Sequence, residues 1–253
     1  PGEPAMTVTT TWTYDALERL VADEPLPCVL VDLDAFERNT RRLCEVARSA
    51  SMTLRIASKS VRVPALLHRA MEIGGETTRG LMCFSAREAG FLADNGFDDL
   101  LIAYPSLQPS DLEELWRLRR RDVDVSLMID SDAHVQRLDS WWSARAGGRD
   151  APPLPVCVDV DMSYRPLGDY GPHLGVQRSS VRGPDAFRAL LRRIRAAPPL
   201  SLRGVMGYEA QIAGLGEALG FQRGLALAAR ERPHGRRLAD QSNRRKLAGR
   251  GRW

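Results

Sequence analysis

Lysine is almost missing from this 253-residue chain. Of its 36 cationic residues only two, Lys59 and Lys246, are lysines, and the rest are arginines. Where a positive charge is enough, a guanidinium serves. It stays protonated, whereas an amine can lose its proton and attack a carbonyl. A lone lysine in an arginine-rich body therefore marks a place where amine chemistry is wanted. Also missing is any stretch near the ~20 apolar residues that a membrane helix needs. The first residues show no basic region followed by an apolar core, so no secretory signal is expected. The four cysteines (Cys28, Cys44, Cys83, Cys157) form no CxxC pair, and no histidine is spaced with them for a zinc site. Cys28, Cys83 and Cys157 fall in apolar runs and are expected to be buried free thiols, which suits a reducing cytoplasm. A composition of 43% hydrophobic and 27% charged residues is that of a water-soluble globular chain.

The net charge of +4 is unevenly placed. Residues 217–253 hold ten of the basic residues against three acids, so the first 216 residues are net acidic. Nucleic acid is therefore not expected as a partner of the body, and binding driven by the tail would rest on charge alone. After Gly216 no further strand-like run appears, and the basic end reads as disordered. The change there reads as a truncated or frame-shifted end, and "PGEPA" ahead of Met6 as sequence upstream of a start.

Between these ends, apolar runs alternate with amphipathic stretches. Strand-like runs are "CVLVD" (28–32), "LRIAS" (54–58), "LMCFS" (81–85), "LLIAY" (100–104), "VSLMID" (125–130), "VCVDV" (156–160) and "LRGVMGY" (202–208). Most are almost continuously apolar, as strands covered on both faces are. Helix starts are signalled by capping boxes at Asp34/Glu37, Ser85/Glu88 and Ser110/Glu113. Helix ends are signalled by Gly74–Gly75 and Gly96. In 34–50, Phe36, Leu43, Val46, Ala47 and Ala50 share roughly one stripe at a helical period. A strand followed by a helix, repeated, predicts a parallel α/β sheet. Lys59, directly after "LRIAS", then stands at the C-terminal end of a strand, where α/β barrels build their sites. A lysine snorkelling at the rim is the plain alternative. Asp159 and Asp161, two apart on one strand, suit rim hydrogen bonding better than a metal pair. His68, His134 and His173 are expected to face solvent, and Trp141 and Trp142 to anchor a helix edge.

Read in order, "LPCVLVDLDAFERNTRRL", "LRIASKSVRVPALLHRAMEIG", "GLMCFSAREAGFLADNGFDDLLIAYPS", "VCVDVDMSYRPLG", "HLGVQRS" and "LRGVMGYEAQIAG" resemble the N-terminal barrel of fold-type III pyridoxal-phosphate enzymes. That family includes alanine racemase, D-threonine aldolase and D-serine dehydratase, and the likeness is to the aldolase/deaminase-like branch. It implies a (β/α)8 TIM-like barrel of the alanine racemase N-terminal type, here incomplete after the sixth barrel strand. It places the domains at 1–25 (lead-in), 26–216 (partial barrel) and 217–253 (basic tail), and assigns 28–32 to a neighbouring β domain. It implies pyridoxal 5'-phosphate as cofactor and Lys59, five residues before Pro64, as its Schiff-base lysine. Arg165 and Tyr208 become further cofactor-binding residues, with no metal. The expected function is a cytoplasmic enzyme acting on small amino-acid substrates, a D-amino-acid lyase, deaminase or racemase, or an inactive fragment of one. Gln211 stands where the aldolases often carry histidine. The alternative is a non-catalytic cofactor carrier of the same fold. The carriers' glycine–glutamate–asparagine signature after the second strand is replaced here by "CFSAREA".

Overall fold

A computed structural model describes residues 12–147, 152–165 and 173–210. The expected basic tail and Gln211 lie outside the described residues. Two helices, α1 (Tyr14–Leu20) and α2 (Leu33–Ser49), precede a βα repeat. The repeat opens with β1 (Leu54–Ala57), the one-turn helix α3 (Ser58–Val61), α4 (Pro64–Gly74) and β2 (Thr78–Cys83). It continues with α5 (Ala86–Asp94), β3 (Leu100–Ile102), α6 (Pro109–Arg120) and β4 (Val125–Ile129). It closes with α7 (Asp132–Ala146), β5 (Leu154–Val160), α8 (Gly183–Arg195) and β6 (Leu200–Gly207). All six strands are parallel and lie in chain order, β1-β2-β3-β4-β5-β6. Each crossover carries a helix to the outer face. That face holds the core, where Leu100, Ile102, Leu127 and Val156 meet Leu115 of α6, Leu138 and Trp142 of α7 and Ile194 of α8. Every residue of β4 is buried, which explains its unbroken apolar run.

The sheet curls, and an ionic network at its N-terminal end shows how far. Arg55 of β1 donates from Nη2 to both carboxylate oxygens of Asp99, at 2.8 and 2.9 Å. Arg203 of β6 reaches the same carboxylate at 2.9 Å and Asp124 at 2.5 Å. Asp99 leads into β3. In a flat sheet β6 would lie three strand spacings from it, about 14 Å, so only a strongly curved sheet lets both edge strands share one carboxylate. Gly80 makes room for this contact. Its φ is +58°, and a Cβ there would stand 2.0 Å from the Asp99 carbonyl oxygen and 2.4 Å from Arg55 Nη1. Gly80→Ala is expected to cost about 3 kcal/mol, combining a left-handed backbone with a backbone clash. Thermal unfolding should show it as a midpoint roughly 10 °C lower; an unchanged midpoint would mean that Asp99 is not held here.

Several local expectations need correction. Residues 28–32 form no strand: Cys28 is exposed and not buried, and Val29 is 90% exposed. Among the described residues the run pairs with no strand, and Asp32 ends it by accepting a 2.9 Å hydrogen bond from Ala35 N as the N-cap of α2. Asp34 is therefore not the cap. On α2 the buried residues are Cys44 and Ala47, while Leu43 and Val46 are exposed. The helix turns toward α4 the face carrying Glu37, which pairs with Arg69. At α6 the cap is Gln108 with Pro109 in the first turn, so Ser110 lies inside the helix. The Ser85 cap is as expected, with Ser85 Oγ accepting from Glu88 N at 3.2 Å. Cys44, Cys83 and Cys157 are buried free thiols.

Candidate active site

Lys59 is the one lysine among the described residues, and its position is fixed by its neighbours. Ser58 is buried and donates to Met82 O at 3.0 Å and to Glu88 Oε1 at 2.9 Å. The other Glu88 oxygen accepts from Phe84 N at 2.5 Å. The end of β1 is thereby tied to the end of β2 and the start of α5. Arg62, in the left-handed region at φ 55°, closes the one-turn helix by donating from Nε to Lys59 O at 3.0 Å. Beside this anchor the Cys83 thiol is pushed up to about 12, by burial first and by the Glu88 charge second, so it stays protonated and unreactive.

The Lys59 side chain is exposed, yet it runs along the strand ends. Nζ donates to the Tyr104 hydroxyl at 3.1 Å and lies 5.5 Å from that ring's centroid. Tyr104 follows β3. Its phenol is held below the usual value, chiefly by the hydrogen bond from Lys59, with the Lys59 and Arg178 charges adding to it. The Phe84 ring meets it edge-on at 5.3 Å. The Arg178 guanidinium lies 5.1 Å from the Tyr104 ring centroid and 5.4 Å from that of Tyr208, just beyond β6. One cation is thus stacked between two aromatic faces. Arg178 also donates to Ala103 O at 2.9 Å and, from Nε, to Asp159 Oδ2 at 3.2 Å.

Asp159, near the end of β5, is 2% exposed, and its second oxygen, Oδ1, is buried without a hydrogen-bond partner. Burial raises its carboxyl above the ordinary value, against the pull of Arg178. The segment bearing Arg178 is pinned to the rim. Ser179 Oγ donates to Asp159 O at 2.7 Å, and Ser180 Oγ to Asp130 O at 2.6 Å. Asp161 accepts from Ser163 N and Oγ, both at 2.9 Å. The two aspartates therefore make the rim hydrogen bonds expected of them.

Of the residues singled out in the sequence, Lys59 and Tyr208 are brought to one rim and linked through Tyr104 and Arg178. Arg165 lies half-buried in the segment after β5. His173 is exposed. His68 and His134 are not simply solvated: His68 stacks on Phe97 at 4.0 Å with Nε2 2.9 Å from Asn95 O, and His134 pairs with Asp130 at 3.0 Å. Trp142 is buried and donates to Pro152 O at 3.1 Å. Tyr104 and Arg178 were missed, although "AYPS" and "GVQRS" stood inside the motifs; the signal available was an aromatic just past β3, while Arg178, eighteen residues beyond the end of β5, carried none.

A parallel curled sheet with an amine, two phenols and a guanidinium at its C-terminal rim agrees with what comparison finds. Residues 31–234 match the family model described as alanine racemase, N-terminal domain. The chain belongs to that family. Its enzymes are the fold-type III pyridoxal-phosphate enzymes, and pyridoxal phosphate is their cofactor. The chain is 26% identical over 196 residues to 3-hydroxy-D-aspartate aldolase of Paracoccus denitrificans, covering 78% of this chain and 46% of the relative. It is 30% identical to D-threo-3-hydroxyaspartate dehydratase of Delftia sp. (strain HT23), covering 67% and 48%. Among solved structures, D-threonine aldolase from Filomicrobium marinum superposes with a TM-score of 0.60 at 28% identity, covering 73% and 44%. Alanine racemase from Bacillus anthracis superposes at 0.55 with 18% identity over 87% and 48%, a likeness of fold alone. The chain thus spans less than half the length of these relatives. Among the described residues no helix is long and apolar enough to cross a membrane.

Proposed function

We propose that this alanine racemase N-terminal domain holds pyridoxal phosphate on Lys59 and serves an enzyme acting on D-amino acids, of the lyase, deaminase or racemase kind. The observation that carries the proposal is the Lys59 amine at the strand ends, 3.1 Å from the Tyr104 hydroxyl, in a body otherwise supplied with arginine. The donor set suits the cofactor. Lys59 offers the nucleophile, Arg178 and Arg165 offer cations for the ring oxygen and phosphate, and Tyr208 offers a ring face. When bound, the cofactor supplies an aldehyde that condenses with amines and a ring that draws electrons from the substrate Cα. The residues of this chain anchor the amine and set the charge around it.

The relatives' names favour substrates with a hydroxyl on the β-carbon, D-threonine and 3-hydroxyaspartate among them, and bond cleavage at Cα or loss of that hydroxyl. A reducing cytoplasm belongs to the same reading, supported by three buried free thiols. The test is direct. The protein is incubated with pyridoxal phosphate, reduced with borohydride and mapped by peptide mass, then offered D-threonine and D-3-hydroxyaspartate with aldehyde and ammonia release measured. The cofactor's mass on Lys59 together with turnover is the expected result. Mass on Lys59 without turnover would favour the carrier reading or an inactive fragment of such an enzyme, and no mass on Lys59 would refute all of these.

A further inference from the structure

We propose that Tyr104 is the proton partner of Lys59: the phenolate oxygen takes a proton from the ammonium across their hydrogen bond, leaving a neutral amine and a phenol. This rests on Lys59 being the amine that attacks the cofactor's aldehyde. An ammonium has no lone pair to attack with. At pH 7 a free lysine side chain is neutral in only roughly one molecule in 2,500, so a resident acceptor for its proton gains much. The exchange is balanced within the pair: one N–H bond breaks, one O–H bond forms, and a cation and an anion become two neutral groups.

The geometry makes Tyr104 that acceptor. Its hydroxyl is 3.1 Å from Nζ, the distance of a hydrogen bond along which a proton can pass. The ring cannot swing freely, because Phe84 meets it edge-on and Arg178 lies over it. Two cations face the phenol, Lys59 from α3 and Arg178 from the segment after β5. One anion, Asp159 of β5, stands behind Arg178 and is bonded to it. Two cations nearer than one anion favour the phenolate, in accord with the phenol's lowered pKa. The Arg178 charge, 5.1 Å from the ring centroid, adds to that preference.

The chain's scarcity of lysine makes this measurable. Protein labelled with 13C at lysine Cε gives signals from two side chains, Lys59 and Lys246, assigned with Lys246→Arg. In the unsubstituted chain the Lys59 signal and a Tyr104 13Cζ signal are expected to titrate in two shared steps, as coupled sites do. In Tyr104→Phe the Lys59 signal should titrate in a single step displaced from both, and capture of pyridoxal phosphate at pH 7 should slow roughly a hundredfold. A Lys59 curve unchanged by Tyr104→Phe, or a Tyr104 signal with no step in common with Lys59, would overturn the proposal. The shared steps are read without any substitution, so they remain decisive if Tyr104→Phe fails to fold. Borohydride mapping of the same samples separates the two ideas. Cofactor on Lys59 with uncoupled titration sinks only the proton partner, whereas coupled titration with no cofactor on Lys59 sinks only the functional reading.

Discussion

Replacing Lys59 by arginine is expected to leave the domain folded and to abolish covalent attachment of pyridoxal phosphate. Arginine keeps the charge, reaches a similar distance and can still donate toward Tyr104, so the ionic and aromatic contacts at the rim survive. Only nucleophilicity is lost, because the guanidinium stays protonated. Capture should fall by several orders of magnitude, as it does when a nucleophile is removed. Lys59→Ala should behave alike toward the cofactor and, by removing the cation over Tyr104, raise the tyrosine's pKa toward its ordinary value. The side chain is exposed, so neither change should shift stability by more than about 0.5 kcal/mol. Borohydride reduction and mass mapping read the first effect, and ultraviolet titration of tyrosine the second. Capture by Lys59→Arg at the unsubstituted rate would show that some other amine holds the cofactor. A fully retained lowering of the Tyr104 pKa in Lys59→Ala would show that Lys59 is not its cause.

The strands were legible because burial on both faces writes itself into sequence as unbroken apolar runs. All six observed strands overlap such a run, most cleanly β3 and the fully buried β4; β1, which carries Arg55, is only partly buried, and β6 is largely exposed. The same signal misled at 28–32. An apolar run shows a wish for burial and says nothing of a partner, and here Asp32 turns the chain into α2 before any pairing. Caps were legible where one residue decided alone, as Ser85 does. They were not where two candidates competed, as with Asp32 over Asp34, or where Pro109 fixed the first turn of α6. Lys59 stood out because its chemistry differs from that of every arginine around it. Tyr104 and Arg178 gave no such sign, since their meaning comes from chain segments up to 75 residues apart converging on one rim with Asp159. Nor could sequence show that Asp99 would take cations from both ends of the sheet, because that contact exists only once the sheet has curled.

Arg178→Met is expected to destabilise the domain by about 3–5 kcal/mol at neutral pH, the usual result of stripping the partner from a buried charge. Methionine fills a similar length and can lie against Tyr104 and Tyr208, so the loss is mainly electrostatic. Asp159 is 2% exposed, and its Oδ1 already lacks a hydrogen-bond partner. Without Arg178 the carboxylate has no cation at its other oxygen either. Burial, with the nearby Asp130 and Asp161 charges, then sets its affinity for a proton, and a pKa already raised rises further. A raised folded-state pKa gives stability that is fully present below the unfolded carboxylate's pKa and lost as pH climbs through the folded value. The deficit of Arg178→Met relative to the unsubstituted chain should therefore be small in acid, below the ordinary aspartate range, and grow toward neutrality. Asp159→Asn in the same chain removes the stranded charge, so the double variant should be more stable at pH 7 than Arg178→Met alone. Urea unfolding of the four chains at acid and neutral pH measures both effects. A deficit equal at the two pH values, with no gain from Asp159→Asn, would mean that Arg178 supports the rim through packing on the tyrosines and not through the carboxylate.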